Sequence, residues 1–316
     1  MVITKVPLRI PLCRGGCDLP SYYEKHGCMF VSGAINKYIY ITLHHSQFNP
    51  NIRARYSRME EVEDVNDLRN EILRETLKYH GIKNSIEITS HAEIPSGTGL
   101  GSSGSFGVGI SHALNPEADS LTLANEATSI QMNKLGFPIG LQDQFVAAYG
   151  GVNSYSTKNG DMEIDMLNFD RELFESRLVL LFTGYNRVAN KILGVQKIQT
   201  EAKNKDMLET LNKTQELAYI MREFLKRDDF DMFAKLMNEH WEEKKKRSVG
   251  MTTKKIDALY KKGLKNGAIG GKLVGAGGGG FMLFYTHDSQ KLIHAMHLKH
   301  IPFKFMDKGS EVIIND

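Results

Sequence analysis

Pro95-Ser96-Gly97-Thr98-Gly99-Leu100-Gly101-Ser102-Ser103-Gly104-Ser105 is the stretch on which the reading of this chain turns. The alternating segment Ser85–Glu93 precedes it and reads as a strand. After it, Phe106, Ile110, Ala113 and Leu114 fall on one helical face, so the loop opens a helix near Ser102. Helix N-termini carry unsatisfied N–H groups and the positive end of a dipole. Glycines clear side chains from the path of an approaching phosphate oxygen. Ser102, Ser103 and Ser105 add hydroxyls able to bind phosphate or Mg²⁺. No Gly-Lys-Ser/Thr follows, so this is not a Walker A loop. The competing reading is a Gly/Ser linker or tight turn, but linkers seldom sit between a strand and an amphipathic helix.

Further along, Gly275-Ala276-Gly277-Gly278-Gly279-Gly280 leads into the apolar run Phe281–Phe284. Such a backbone passes very close to a ligand or to another segment. Asp143 stands between Gln142 and Gln144, with Ala147, Ala148, Gly150 and Gly151 after it; taken alone it reads as a surface or capping aspartate. Asp18, flanked by Gly15, Gly16 and Pro20, reads alone as an Asx-turn residue. Lys244-Lys245-Lys246-Arg247 follows Glu242-Glu243 and reads first as a solvated helix face, with a phosphate clamp as the alternative.

The rest of the chain supplies the frame. Lys37–Leu43 is β-rich. Asp67–His80 has helical spacing with Gly81 as its stop, and Ser120 caps a helix running through Asn133. Arg177–Thr183 is a buried strand, and one long helical stretch covers Asn204–Arg247. The polar region Asn168–Ser176 is the candidate junction between domains 1–172 and 173–316.

The 316 residues are enough for two domains with a sizeable core. Hydrophobic residues at 41% and charged residues at 24% give a globular balance, and the net charge of +3 lacks the basic excess of a nucleic-acid binder. Lys5, Pro7, Arg9 and Pro11 break up the apolar N-terminus, and no apolar run is long enough to span a bilayer. Neither nucleic acid nor membrane is expected as a partner, and the expected location is the cytoplasm. The odd count of cysteines, Cys13, Cys17 and Cys28, reads as free thiols in a reducing compartment; a Zn site with His26 fits no common spacing.

Taken together, PLRI and GGCDLPSYYEKHG, AINKYIY, PSGTGLGSSGSF, KLGFPIGLQDQFVAAYGG, FTGYNRVANKIL, NEHWEEKKKRS and GAIGGKLVGAGGGGFMLFY resemble the GHMP kinase superfamily over about residues 5–285. Within it they resemble the D-glycero-D-manno-heptose 7-phosphate kinase family. The resemblance implies an α+β fold, with an N-terminal domain like ribosomal protein S5 domain 2 and a ferredoxin-like C-terminal domain. It implies ATP and Mg²⁺, and transfer of a phosphoryl group to the anomeric hydroxyl of a heptose 7-phosphate, on the route to nucleotide-activated heptose for surface polysaccharide. A monomer or homodimer is expected.

By position, the resemblance makes Asp143 the catalytic aspartate. Arg9 would stabilise the transferred phosphoryl group and keep Asp143 charged. Pro95, Gly97, Gly99, Leu100, Gly101, Ser102 and Ser103 would hold the nucleotide, with Gly277, Gly278 and Gly279 closing over it. Asp18 would bind sugar hydroxyls, and Arg187, Lys244, Lys245 and Arg247 are candidates for the distal phosphate. Ser103 would ligate Mg²⁺. The superfamily's usual metal-binding Glu is replaced by Gln131; Glu126, about 140° away around a helix, cannot simply substitute. Arg14-Gly15-Gly16-Cys17 stands where the family more often has small residues and Thr, which leaves the sugar open. Two rivals follow: a kinase for a hexose or unphosphorylated heptose, and a catalytically dead sugar-binding regulator.

Overall fold

The computed structural model describes residues 1–13, 16–158, 161–185, 189–202, 204–248 and 250–316. The first sheet is built on two long antiparallel strands, β1 (Val2–Cys13) and β2 (Met29–His45). β2 also pairs with β5 (Ile86–Ala92), which runs parallel to β3 (Ile52–Arg55); β4 (Met59–Val62) lies outside β3. At its other end β2 pairs with β6 (Val152–Lys158), and β7 (Asp161–Met166) follows. Pro7 and Pro11 hide β1 in the sequence, because a proline donates nothing to a ladder. The register shifts after each of them, so both prolines sit at bulges.

Helix α3 (Ser102–Leu114) lies on β1 and β2, and its small residues allow the close approach. A Cβ on Gly109 would stand 2.8 Å from Ile41 Cγ1 and 3.0 Å from Val6 Cγ2. Ser105 Oγ donates to the Pro7 carbonyl (2.8 Å) and Thr4 Oγ1 to the Gly109 carbonyl (3.0 Å), which fixes the helix along the strand. Helix α4 (Ser120–Ser129) and α5 (Gln142–Tyr149) pack beside α3.

Short helices α1 (Pro20–His26), α2 (Glu71–Tyr79) and α6 (Arg171–Ser176) occupy connections. The second sheet has the order β8 (Leu178–Phe182), β10 (Phe281–Thr286), β9 (Ala268–Leu273). α9 (Phe230–Lys245) and α10 (Lys254–Lys265) pack on β9, and α11 (Ser289–Met296) on β8 and β10. α8 (Lys205–Lys226) lies against α9 and on β1 and β2 of the first sheet, with α7 (Ala189–Glu201) between it and α1. The last strand, β11 (Glu311–Asn315), returns to the first sheet and pairs with β1. Leu8, Ile10 and Leu12 of β1 share one apolar core with Ala218, Met221 and Leu225 of α8 and Phe233 of α9, so the two sheets are joined by packing.

Three sequence expectations are corrected. The stretch 204–247 is two helices, broken where Asp228 takes φ +56° and Asp229 caps α9 through the Met232 N–H. α2 begins at Glu71, because the Asn70 side chain accepts from the Leu73 N–H. The cap of α4 is Asp119, which accepts from the Thr122 N–H at 2.8 Å, and the regular helix ends at Ser129. Ile130–Lys134 follows as a π-helical turn.

Candidate active site

The glycines of the first loop are required by the backbone. Gly97, Gly99 and Gly101 have φ of +78°, +93° and +81°, where a side chain is strained. Arg9, on β1, clamps the loop: its N–H donates to the Leu100 carbonyl (3.0 Å) and its Nη1 to the Gly99 carbonyl (2.5 Å). Nε and Nη2 donate to Asp143 Oδ1 at 3.0 and 2.7 Å. Arg9 is 3% exposed and the Asp143 side chain 24%, so the carboxylate is the member of the pair that reaches solvent.

Asp143 lies in the first turn of α5, where the helix dipole favours an anion. Gly104 brings α3 against that turn, since a Cβ there would be 2.6 Å from Asp143 Cβ. The N-termini of α3 and α5 therefore converge beside Asp143, two positive helix ends around a site that also holds a guanidinium. This is an anion-binding geometry with a carboxylate at its edge.

The second glycine loop docks on the first. A Cβ on Gly280 (φ +98°) would lie 2.0 Å from the Thr98 carbonyl oxygen. The Gly280 N–H donates to the Tyr185 carbonyl (2.8 Å), and the Gly280 carbonyl accepts from Thr183 N–H and Oγ1. Gly278 N–H donates to the Met251 carbonyl, and Gly277 and Gly279 press on Met251 and Tyr185. Of the loop residues expected to contact a nucleotide, Ser103 is exposed and Ser102 half-buried, whereas Leu100 turns its side chain into the core.

Gln131, in the π-helical turn, is fully buried, with Nε2 3.5 Å from the Ser103 carbonyl and in the space that a Cβ on Gly107 would fill. Its Oε1 has no hydrogen-bond partner among the described residues. Glu126 points elsewhere, to His80 Nε2 at the end of α2 (2.7 Å). Residues 103 and 131 thus meet through the Gln131 amide nitrogen and the Ser103 backbone carbonyl, and 126 does not join them. Ser103 Oγ and Gln131 Oε1 are neutral oxygen donors, which suit a hard cation whose charge is met mainly by phosphates. Glu126→Gln should cost about 1–3 kcal/mol of stability, by weakening a charge-assisted bond that is largely buried. In urea denaturation the midpoint should fall while the Mg²⁺ dependence of any reaction stays put; a changed Mg²⁺ dependence at unchanged stability would place Glu126 at the metal.

Asp18 is fully buried against Gly140, with Oδ2 3.4 Å from the N–H of Gln142, the residue next to the catalytic candidate Asp143. The basic run at the end of α9 is only half solvated, a correction to its first reading. Lys245 and Lys246 pair with Glu242 and Glu243 at 2.6 and 2.7 Å. Lys244, 5% exposed, donates to the carbonyls of Leu273 (3.1 Å) and Gly275, at the root of the second glycine loop. Arg247, 2% exposed, donates to Thr214 Oγ1. Arg187, Arg14 and Gly15 lie outside the described residues. The three cysteines are buried thiols, and burial pushes Cys13 up to about 12. Sequence reasoning missed Lys272, which donates from β9 to the Leu12 carbonyl of β1 (2.9 Å); a lysine in a strand gives no sign of such a reach.

Residues 67–151 match the family model described as GHMP kinases N terminal domain, and residues 221–301 the one described as GHMP kinases C terminal. The chain is 30% identical over 307 residues to D-glycero-alpha-D-manno-heptose 7-phosphate kinase of Campylobacter jejuni, covering 91% of this chain and 90% of that protein. Among solved structures it superposes on a D-glycero-D-manno-heptose 1-phosphate kinase from Bacteroides thetaiotaomicron with a TM-score of 0.79 at 24% identity, covering all of both chains. A putative sugar kinase from Campylobacter jejuni gives 0.75 at 28% identity, covering 98% of this chain and 97% of that one.

Proposed function

We propose that this chain, which belongs to the GHMP kinase family, transfers the γ-phosphoryl group of ATP to the anomeric hydroxyl of D-glycero-D-manno-heptose 7-phosphate. Membership gives the α+β GHMP fold in a family that uses ATP, and the 30% identity to a heptose phosphate kinase over 91% of the chain makes it a sugar kinase. The acceptor, the position phosphorylated, Mg²⁺, the cytoplasmic setting and a role in supplying nucleotide-activated heptose are the proposal. So is the division into an ATP-binding unit, 1–172, and a C-terminal unit, 173–316, whose last strand returns to the first sheet.

The observation that carries the reading is the Arg9 bridge: one guanidinium holds the Asp143 carboxylate and the glycine loop together. Phosphoryl transfer asks mainly for positioning and charge stabilisation. Asp143 takes the proton of the sugar hydroxyl as the oxygen attacks. Arg9 opposes the charge on the moving phosphoryl group, and the N–H groups at the start of α3 receive the phosphate oxygens. Gly277, Gly278 and Gly279 close the site from the other sheet. Asp18 supports the sugar side behind Gln142. Mg²⁺, held by Ser103 and Gln131 with the phosphates, would neutralise the polyphosphate. For the distal phosphate the candidates are Lys244, Lys245 and Arg247 among the described residues, with Arg187 outside them.

An assay coupling ADP formation to NADH oxidation tests the acceptor. The heptose 7-phosphate should exceed free heptose, galactose and fucose by at least about a hundredfold in kcat/KM, as sites built around a charged group discriminate against its loss. Equal use of free heptose would remove the distal-phosphate site, and ATP consumption independent of any sugar would remove the reading.

Gln131→Glu should tighten divalent-metal binding, since a full charge replaces a dipole beside the ion. Titrating Mn²⁺ by electron paramagnetic resonance with bound ADP reads this without turnover. An unchanged Mn²⁺ affinity would take Gln131 away from the metal.

A further inference from the structure

The C-terminal unit carries a charged face that the proposed reaction does not use. α10 and α11 lie side by side, joined where Lys262 Nζ donates to the Met296 carbonyl (3.2 Å). Segments 254–265 and 288–300 hold seven lysines and two aspartates, a local charge of +5 in a chain whose total is +3. Lys254, Lys255, Lys261, Lys265, Lys291 and Lys299 are exposed, and among the described residues none of them forms an ion pair. The two aspartates are occupied locally: Asp257 accepts from Thr252 Oγ1 (2.8 Å), and Asp288 caps α11 through the Lys291 N–H (2.9 Å). Ile256, Tyr260 and Leu292 anchor the opposite faces of these helices in the core with Trp241. Lys254, Lys261, Lys265, Lys291 and Lys299 therefore stand outward in excess over the two aspartates, while Lys255 lies over the Tyr185 ring at 5.3 Å. His294 and His297 are exposed on the same layer.

The composition of this face selects its partner. Protein interfaces are enriched in aromatic residues, Met and Arg and depleted in Lys. Nucleic-acid faces use Arg forks and aromatic platforms. Here there is no arginine after Arg247, and among the described residues no large apolar side chain between positions 221 and 312 is exposed. A layer of lysines without anchors or forks suits a diffuse sheet of negative charge, where each lysine adds attraction independently of geometry. The geometry points to an anionic lipid surface, onto which α10 and α11 dock peripherally through headgroup phosphates. Such docking needs no spanning helix, and it reverses the expectation from the sequence that no membrane takes part.

The test is co-sedimentation of the full chain with sucrose-loaded vesicles, of phosphatidylcholine alone or of an equimolar mixture with phosphatidylglycerol. Binding should be confined to the anionic vesicles and should fall steeply with added salt. At about fivefold per lysine, reversing Lys254, Lys261, Lys265 and Lys299 together to glutamate should lower the partition coefficient at least about a hundredfold. Turnover of the soluble substrates should stay unchanged. Equal sedimentation with neutral vesicles, salt-independent binding, or full binding by the fourfold variant would each overturn the proposal. So would retention on duplex DNA or polyglutamate as strong as on the anionic vesicles at the same salt. The wild-type comparison and its salt dependence decide the matter even if the variant does not fold.

Discussion

Asp143→Asn is expected to lower kcat by at least about two orders of magnitude while leaving the fold and ATP binding nearly intact. The amide preserves the size of the group and one oxygen for Arg9 Nε and Nη2, so the bridge to the glycine loop survives in weakened form. What would be lost, on the proposed reading, is the acceptor for the sugar proton. Stopped-flow nucleotide binding and the thermal midpoint should therefore move little while single-turnover transfer slows. Wild-type turnover in Asp143→Asn would leave Asp143 as an Arg9 partner and no more. Arg9→Lys should behave differently, because a compact ammonium cannot reproduce the spread of guanidinium N–H groups that reaches Asp143 on one side and the Gly99 carbonyl on the other; it should weaken nucleotide binding as well as transfer.

The second large effect is expected from Gly280→Val. Two costs act there. A β-branched residue at φ +98° carries about 1–3 kcal/mol of backbone strain. The Cβ also falls 2.0 Å from the Thr98 carbonyl oxygen, an atom of backbone that cannot step aside without moving the first glycine loop. Gly81→Val separates the two, for Gly81 has φ +72° and open space around it. Both variants should lose stability by a similar strain, but only Gly280→Val should reduce kcat/KM for ATP, by at least about a hundredfold, since a displacement of an ångström at a catalytic site costs that much. Similar ATP kinetics in the two variants would show that contact between the glycine loops does not shape the nucleotide site.

Glycine makes much of this site legible in the sequence, because positive φ and close backbone approach leave few other residues possible. The loop at 97–101 and the run at 277–280 are readable for that reason, although not that they touch. Charge is less legible. Lys244 and Arg247 look solvated in a lysine-rich helix end, yet the turn of α9 buries them while Lys245 and Lys246 pair at the surface. Glu126 and His80 are 46 residues apart and meet only in the folded chain. The break at Asp228 carries neither Gly nor Pro, so the helical pattern runs through it; the left-handed aspartate and the Asp229 cap supply the stop. β1 is concealed by its prolines, which sequence logic treats as breakers and the fold accommodates as bulges. The π-helical turn that presents Gln131 has no sequence signature to read.

The central claim is transfer of phosphate from ATP to the anomeric oxygen of a heptose 7-phosphate, and ³¹P nuclear magnetic resonance of the running reaction tests it most directly. With the wild-type chain, ATP, Mg²⁺ and the heptose 7-phosphate, a second sugar-phosphate resonance should grow as the γ-phosphate signal declines in equal amount. Its coupling to the anomeric proton should identify the 1,7-bisphosphate. Decline of the γ-phosphate signal with only inorganic phosphate appearing, or a new phosphate ester on any carbon other than the anomeric one, would contradict the account.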